Sequence, residues 1–313
     1  MSVVLVEIRR GGVVEGVHRG SAVVLDSAGR IERAWGDPAM PILPRSSNKP
    51  AQASAMVRAG LPLEGELLAL AAASHSGEAF HRDGVRRILA LGGLDESQLL
   101  TPPELPLDEA VRTRVLVDGG EASSVSMNCS GKHAAMLLTC TINGWEVSDY
   151  TDPVHPLQLA IHSEITSLAG EQTWVSSIDG CGAPLYGLTL AGLARLGRGC
   201  LTAEPGSAPR RVADAMSAHP DWVAGTQRDA AALSRSLPGA LVKEGAEAVY
   251  LVTLADGRSV ALKIDDGSHR ARPIAMAGIL RSIGVDNATI TAQSRQVLLG
   301  AGVPVGEIVP APM

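Results

Sequence analysis

The sequence has few aromatic residues, no long apolar runs and no leader-like start. Aromatic side chains make up 3% of the 313 residues, with a single Phe, so the core has to be built from Leu, Val, Ile and Ala. No run approaches the roughly 18 apolar residues of a membrane-spanning helix. The N-terminal segment carries its apolar residues before its arginines, the reverse of a secretory signal. These absences predict a soluble cytoplasmic protein without membrane insertion.

Positive charge is also limited. Lys and Arg number 27 against 33 Asp and Glu, which gives a net charge of −6, and no basic block appears along the chain. An acidic surface repels the phosphate backbone, so we expect no nucleic-acid partner. Hydrophobic residues at 45% and charged residues at 19% are typical of a globular protein and exclude general disorder.

The chain has only four cysteines, which is too few for a disulfide framework in a large cytosolic protein. Cys140 and Cys200 lie in ordinary surroundings and are predicted to be inert. Cys129 lies in Asn-Cys-Ser-Gly-Lys-His, and Cys181 lies in Asp-Gly-Cys-Gly. Each of these two is either a small buried side chain or a ligand in a metal site.

Strand patterns occur at both ends of the chain and helical spacing lies between them. Short β-rich segments separated by glycine turns fill residues 3–35, and Asp256-Gly257 predicts a hairpin between two later strands. Connections this short imply antiparallel pairing. We therefore predict an α/β fold in which one antiparallel sheet, built from both termini, shares its core with a large helical insertion.

This architecture predicts one catalytic unit over residues 1–313. Its sheet subregion is expected at 1–44 plus 245–313, and its helical subregion at 45–244. No internal repeat or low-complexity segment interrupts it.

The junction between sheet and helices contains Ser46 and Lys49. A serine and a lysine three residues apart share one face of a helix, where the amine can take the hydroxyl proton if its pKa is lowered. This S-x-x-K spacing is the nucleophile motif of penicillin-binding serine acyl-transfer enzymes. The alternative is an ordinary helix start, with a serine N-cap and a solvated lysine.

Three further spots also have ordinary explanations when they are taken singly. Ser74 lies in Ser-His-Ser-Gly-Glu, which is also what a helix-to-helix loop with a cap looks like. Lys263 ends an apolar strand, where a lysine usually faces solvent. Asp179-Gly180 is an ordinary turn sequence.

Together these segments resemble one family, the Rhizobium-type L-asparaginases. The resemblance rests on their order along nearly the whole chain: Arg45-Ser46-x-x-Lys49-Pro50, Ala73-Ser74-His75-Ser76, Asn128-Cys129-Ser130-Gly131-Lys132-His133, Asp179-Gly180-Cys181 and Lys263-Ile264-x-Asp266-Gly267. It implies a fold like that of serine β-lactamases and glutaminases, and a homodimer. It also implies hydrolysis of L-asparagine to L-aspartate and ammonia.

The resemblance implies two Ser–Lys pairs in catalysis, Ser46 with Lys49 and Ser74 with Lys263. One serine attacks the side-chain amide, an acyl-enzyme forms, and water releases aspartate. The S-x-x-K spacing favours Ser46 as the attacking serine, and attack by Ser74 stays open.

The resemblance further implies a zinc site made by Cys129, Lys132 and Cys181. A lysine binds zinc only when deprotonated, and an adjacent zinc ion would lower its pKa. Three protein ligands leave the fourth position to water or the substrate. The candidate substrate-binding residues near this site are Arg45, Asp179 and His133.

Two other functional classes are weighed against this hypothesis. A glutaminase or penicillin-recognising hydrolase would share the fold, but the S-D-N and K-T-G tripeptides of β-lactamases are missing. A non-catalytic zinc-binding protein would use the cysteines and would have no need for two Ser–Lys pairs.

Overall fold

A computed structural model describes all residues, 1–313, and its central element is an eight-stranded antiparallel sheet. Twelve strands are present in total: β1 Val3–Arg10, β2 Val13–Leu25, β3 Ile31–Trp35, β4 Pro41–Ile42, β5 Ser176–Ile178, β6 Pro184–Tyr186, β7 Leu188–Thr189, β8 Leu241–Gly245, β9 Val249–Thr253, β10 Ser259–Ile264, β11 Gln296–Gly300 and β12 Val303–Pro310. The main sheet runs in the order β11-β12-β1-β2-β10-β9-β8, and β3 pairs with β2.

Both chain termini contribute to this sheet. Strand β2 pairs with β10, with Val23 opposite Ala261, and β1 pairs with β12. The turn at Asp256-Gly257 joins β9 to β10 as the sequence predicts. The predicted α/β class, with an antiparallel sheet from both ends and helices between, is therefore confirmed.

The helices fill the segment between the strands and also follow the sheet. They are α1 Lys49–Arg58, α2 Gly65–Ala71, α3 Ala79–Leu91, α4 Glu109–Val117, α5 Ser130–Asn143, α6 Pro156–Ala169, α7 Leu190–Leu201, α8 Ala208–Ala218, α9 Pro220–Val223, α10 Asp229–Ser236, α11 Ala271–Ser282 and α12 Ala288–Gln293. Short 3₁₀ turns occupy Arg45–Asn48 and Glu96–Gln98. None of these helices has the length and apolar composition that crossing a bilayer requires.

Two apolar cores cover the two faces of the sheet. Side chains alternate along a strand, so Val23 and Leu25 of β2 face the helical insertion while Ala22 and Val24 face α11. The core on the insertion side holds 49 buried residues and the other holds 26. The helical insertion is therefore integrated into the main core and does not sit on the sheet as an appendage.

The C-terminal part of the sheet begins earlier than the sequence pattern predicts. Strand β8 starts at Leu241, before the expected boundary at residue 245, and β11 and β12 follow the last predicted helix. Val297 and Leu299 of β11, which is an edge strand, and Val303 at the start of β12 are exposed, whereas Ile308 of β12 is fully buried. This exposure explains why their period gives a weak strand signal.

Candidate active site

The segment that carries Ser46 is a 3₁₀ turn leading directly into α1, so Ser46 and Lys49 do not share a regular α-helical turn. Arg45, the residue before Ser46, has a φ of +52°. This left-handed conformation costs a side chain with a Cβ about 1–2 kcal/mol. The end of β8 packs against the turn so closely that a Cβ on Gly245 would lie 2.8 Å from the Pro44 carbonyl oxygen. Backbone strain and tight packing together fix the position of Ser46.

Lys49 is buried at the first position of α1, with 1% of its surface exposed. Its amine donates to the Ala73 carbonyl at 2.5 Å, the Ser74 hydroxyl at 3.1 Å and the Cys129 sulfur at 3.0 Å. The amine makes no hydrogen bond to Ser46, whose carbonyl accepts from the main-chain N–H of Lys49. Lys49 therefore links the second serine to the first cysteine.

Ser74 follows α2 and is held through its main chain. Its N–H donates to the Val223 carbonyl at 2.9 Å, and its own carbonyl accepts from Arg228 at 2.7 Å. Its hydroxyl oxygen lies 3.1 Å from each of two amines, those of Lys49 and Lys243. Ser74 is thus the point at which two buried lysines converge.

The predicted pairing of Ser74 with Lys263 is wrong, because Lys243 of β8 occupies that place. Lys263 lies on β10, where its half-buried amine donates to the Glu247 carbonyl at 2.7 Å and to the carbonyl of Ile264. Both acceptors are main-chain groups near the end of the sheet. The geometry gives Lys263 a structural contact and gives Lys243 the contact with the serine.

Lys243 and Glu244 are both buried and lie beside the partly exposed Arg228. Burial lowers its pKa to about 7, against the opposing effect of the Glu244 carboxylate 3.3 Å away, with Lys49 and Arg228 lowering it further. For Glu244, burial alone would raise the pKa, but Lys243, Arg228 and Arg272 lower it to about 2. An amine with a pKa near 7 can exchange a proton with Ser74 at neutral pH.

The predicted zinc residues come together in one buried cluster. Cys129 precedes the first residue of α5, and Cys181 lies on the turn between β5 and β6. The two cysteines pack with Met127 and Ala183, and the Lys132 amine lies 3.2 Å from the Cys181 sulfur. Two chain segments that are far apart in sequence therefore meet in one buried cluster.

The two thiols have opposite proton affinities. A hydrogen bond from Cys129 and the positive charge of Lys132 lower the pKa of Cys181 against the effect of burial. The same hydrogen bond, together with burial, raises the pKa of Cys129. Burial alone would lower the pKa of Lys132, but the neighbouring sulfurs and Asp179 raise it. Cys181 is thus the more readily ionised of the two thiols.

His133 follows Lys132 on α5 and is fully buried. Its Nδ1 lies 2.8 Å from the Tyr150 hydroxyl, and its Nε2 has no hydrogen-bond partner. Burial lowers its pKa, although contact with Cys181 has the opposite effect. No group of three His, Cys, Asp or Glu side chains that could hold a metal ion is present. Two sulfurs beside an amine are a donor set that fits zinc.

The predicted substrate residues Arg45 and Asp179 form an ion pair. Both the Nε and an Nη of Arg45 lie 2.8 Å from one carboxylate oxygen of Asp179. Asp179 lies on the same turn as Cys181, and this turn is closed by Gly182 at a φ of +86°. The pair therefore ties the Ser46 turn to the cysteine turn.

A cavity of about 480 Å³ opens beside the two serines. Its wall carries charges of both signs, which suits a small zwitterionic ligand. The lining residues are Ser46, Ser74, Leu107, Asp108, Glu109, Asn128, Arg228, Asp229, Glu244, Gly245, Ala246, His269 and Arg272.

Sequence reasoning did not identify Lys243, Glu244 or Arg228 as part of the site. The available signal was a Lys-Glu pair directly after the apolar residues Leu241 and Val242, in a strand with all five residues buried. Two charged side chains in a buried strand need partners, and that need marks a functional site.

Comparisons with known proteins complement this geometry. A comparison with protein-family models matches L-asparaginase II over residues 6–310. No curated protein gives a significant match.

Several solved structures are similar to this chain. Mglu in its native form is 15% identical with a TM-score of 0.48, and the alignment covers 85% of this chain and 65% of that chain. A β-lactamase from Mycobacterium bovis is 15% identical with a TM-score of 0.46, covering 84% of this chain and 94% of that chain. A Bacillus glutaminase is 11% identical with a TM-score of 0.39, covering 85% and 91%.

The family match extends from β1 to β12 and takes in every side chain of the site. The chain therefore belongs to the L-asparaginase II family.

Proposed function

We propose that the protein hydrolyses L-asparagine to L-aspartate and ammonia through a serine acyl-enzyme. The observation that carries the proposal is the Ser74 hydroxyl between two buried lysine amines, each at 3.1 Å, on the wall of a charged cavity. Membership of the asparaginase family supports an amide substrate.

Ser46 is the serine that we propose as the nucleophile. It lines the cavity and is half-buried, whereas Ser74 is 6% exposed and has its N–H engaged by Val223. Ala246 follows the last residue of β8, lines the same cavity and makes no main-chain hydrogen bond through its N–H. The N–H groups of Ser46 and Ala246 are proposed to stabilise the oxyanion, a contribution typically of order 10²–10³ in rate.

The two lysines and Ser74 are proposed to move protons. As Ser46 attacks the side-chain amide carbon, its proton passes to the neutral Lys49 amine; catalytic hydrogen bonds of this kind often tighten only when substrate binds. The leaving ammonia takes a proton from Ser74, which is reprotonated by Lys243. Water then attacks the ester, gives its proton back through the same groups, and releases aspartate and free Ser46.

Attack by Ser74 is the second candidate route. It is favoured by the direct contact between the Ser74 hydroxyl and Lys243, whose pKa is lowered by burial to about 7. The two routes give the same products and differ in which serine carries the acyl group.

Zinc is proposed as a cofactor held by Cys129, Lys132 and Cys181. When bound, it would neutralise the thiolates and supply a positive charge to orient the substrate amino acid. Asp179, fixed by Arg45, is proposed to hold the substrate amine, and His133 has an unpartnered nitrogen beside Cys181. In this proposal the residues around the zinc site orient the substrate, and the serines and lysines carry out the acyl transfer and the proton transfers.

The resemblance also supports a cytoplasmic homodimer. Light scattering of the purified chain tests the assembly, with a mass near twice the 32.4 kDa of one chain expected. A monomeric mass at working concentration would contradict it.

Ammonia release from asparagine and glutamine, with Ser46→Ala and Ser74→Ala measured in parallel, tests the proposal. We expect asparagine to be preferred and Ser46→Ala to lose about 10⁴-fold or more in kcat. Because Ser46 and Lys49 act as a unit, the double variant Ser46→Ala with Lys49→Ala is expected to lose little more than either single change.

Mass spectrometry of enzyme quenched during turnover of a slow β-ester substrate identifies the acylated peptide. An adduct on Ser46 supports the preferred route, and one on Ser74 supports the second. Absence of ammonia from both amides in the zinc-supplemented enzyme would refute the proposed function.

A further inference from the structure

Ser74 and the three charged groups of Lys243, Glu244 and Arg228 form a closed ring of contacts. The Lys243 amine donates to the Ser74 hydroxyl at 3.1 Å and lies 3.3 Å from one carboxylate oxygen of Glu244. The other carboxylate oxygen lies 3.1 Å from Arg228, which donates to the Ser74 carbonyl at 2.7 Å. The ring begins and ends on the residue whose hydroxyl it surrounds.

This arrangement is not a by-product of strand geometry. Consecutive residues of a strand point to opposite faces, so Lys243 and Glu244 would ordinarily be apart. Here the Lys243 amine also donates to the Glu244 carbonyl at 2.8 Å, and the two side chains are 0% and 2% exposed. Burying a carboxylate between two cations is costly unless every charge is matched, and replacing such clusters by apolar residues is often neutral for stability. A role other than stability is therefore expected.

We propose that Glu244 is a positioning residue. Its carboxylate forms an ion pair with Arg228 and holds the Lys243 amine against the Ser74 hydroxyl. The inference rests on the proposed function for the part that the amine takes in turnover. The ring itself is independent of the substrate.

Every charged group that faces Lys243 takes part in the balance. Glu244 on the same strand favours the protonated amine, whereas Lys49 from α1 and Arg228 from the segment before α10 oppose it. Arg272 from α11 acts on Glu244 and is itself paired with Asp229 at 2.6 Å. Glu244 is the only anion among the groups that face Lys243. Removing its charge should therefore change the pKa of Lys243 in a predictable direction.

The sign follows from burial, which lowers the pKa of Lys243 and remains when Glu244 is neutralised. In Glu244→Gln, the opposing carboxylate is gone, so the pKa of Lys243 should fall by roughly 1–3 units. Loss of the Glu244 carboxylate should also lower kcat by about 100-fold, because displacing a catalytic group such as the Lys243 amine by about 1 Å has such an effect. KM should change little, because the inference assigns Glu244 to the amine and not to the substrate.

The chain suits a direct titration because Lys49, Lys132, Lys243 and Lys263 are its only lysines. We would label the whole 313-residue chain with ¹³C-lysine, keep zinc in the buffer, and assign the Lys243 signal by its loss in Lys243→Met. The wild-type signal should titrate near pH 7. It should shift downward in Glu244→Gln and stay unchanged in the matched control Glu247→Gln, a carboxylate on the exposed β8–β9 turn.

A second variant separates charge from position. Glu244→Asp keeps the carboxylate but shortens its reach, so the midpoint should stay close to the wild-type value while kcat falls. Circular dichroism checks the fold of each variant, and Glu244→Asp alone tests the ring if Glu244→Gln does not fold.

A folded Glu244→Gln whose Lys243 midpoint is unchanged or raised, with kcat intact, would overturn the inference. In Glu244→Asp, a full wild-type kcat would have the same effect. The titration does not need turnover, so an enzyme inactive on asparagine whose Lys243 still responds to Glu244 would count against the proposed function alone.

Discussion

Lys243 and Lys263 have similar sequence surroundings and different physical environments. Each follows two apolar residues in a strand, and each lies on the face of the sheet that packs against the helical insertion, as do Leu241 and Ala261 two positions earlier. Lys243 is opposite Leu251 of β9, whereas Lys263 is opposite Val249, two residues nearer the β8–β9 turn.

This difference in register and strand decides their contacts. Lys243 lies on β8, which ends against the Ser46 turn, so its amine meets Ser74. Lys263 lies on β10 near the end of the sheet, and its amine meets main-chain carbonyls. The alternation of side chains along a strand predicts which face of the sheet a lysine lies on, but the residues that it contacts are set only by the folded sheet.

The largest expected effect is a difference in kcat between variants of the two lysines. Lys243→Met removes a proton-transfer group, and we expect kcat for asparagine to fall by about 10²–10⁴-fold. Lys263→Met should stay within about twofold of the wild type, since surface-type contacts away from the site have small effects. Ammonia release measures both. Equal losses in the two variants would restore Lys263 to the catalytic set.

The cysteine cluster gives the next effect, chiefly on binding. Cys129→Ser with Cys181→Ser should lose zinc and raise KM for asparagine by about 10–100-fold, with a smaller change in kcat, if zinc orients the substrate. The matched control is Cys140→Ser with Cys200→Ser. Those two thiols are also buried, and burial raises the pKa of each.

Elemental analysis and binding measurements check this comparison. The control variant should keep one zinc per chain, and zinc affinity of the wild type should fall at acid pH as its ligands take up protons. Stoichiometric zinc in the Cys129/Cys181 variant would contradict the assignment.

A smaller effect is expected from pH. Burial lowers the pKa of Lys243 to about 7, so the amine is charged below that pH and neutral above it. In the preferred route Lys243 reprotonates Ser74 and has to start protonated, so kcat/KM should be level below pH 7 and fall about tenfold per pH unit above it. In the second route the neutral amine accepts the Ser74 proton, so kcat/KM should instead rise up to pH 7 and level off above it. The pH dependence near pH 7 should be the same in Lys263→Met, because Lys263 does not contact Ser74. A profile flat from pH 5 to 8 would argue against proton transfer by Lys243.

The sequence was sufficient where a local pattern determines structure. Antiparallel strands at both ends, the Asp256-Gly257 hairpin and the helix Pro156–Ala169 are each set by neighbouring residues, and the structure has all three. The motifs around Cys129 and Cys181 were also informative, because glycine turns beside polar residues are unusual surroundings for buried thiols. These two segments do meet in the fold.

The rest depends on contacts between distant segments. No period in the sequence tells which lysine reaches Ser74, because Lys243 is 169 positions away from it and the contact depends on sheet register. The Lys49 contact with Ser74 and Cys129 is equally non-local. The buried ion pairs of Glu244 become visible only when burial is known.

The smallest expected effect concerns stability and completes the comparison between the two lysines. The Lys263 amine donates to the Ile264 carbonyl at the end of β10 and to the Glu247 carbonyl in the β8–β9 turn, where both Glu247 and Ala248 have positive φ. A hydrogen bond of this kind contributes about 0.5–1.5 kcal/mol, so Lys263→Met should lower the free energy of unfolding by about 1–2 kcal/mol. Urea unfolding followed by circular dichroism measures it, and Lys263→Arg should recover part of the loss by keeping the charge and donors. Lys263 would then affect stability without affecting turnover, whereas Lys243 would affect mainly turnover. If Lys263→Met lowers activity while the unfolding free energy stays unchanged, the structural role assigned to Lys263 is wrong.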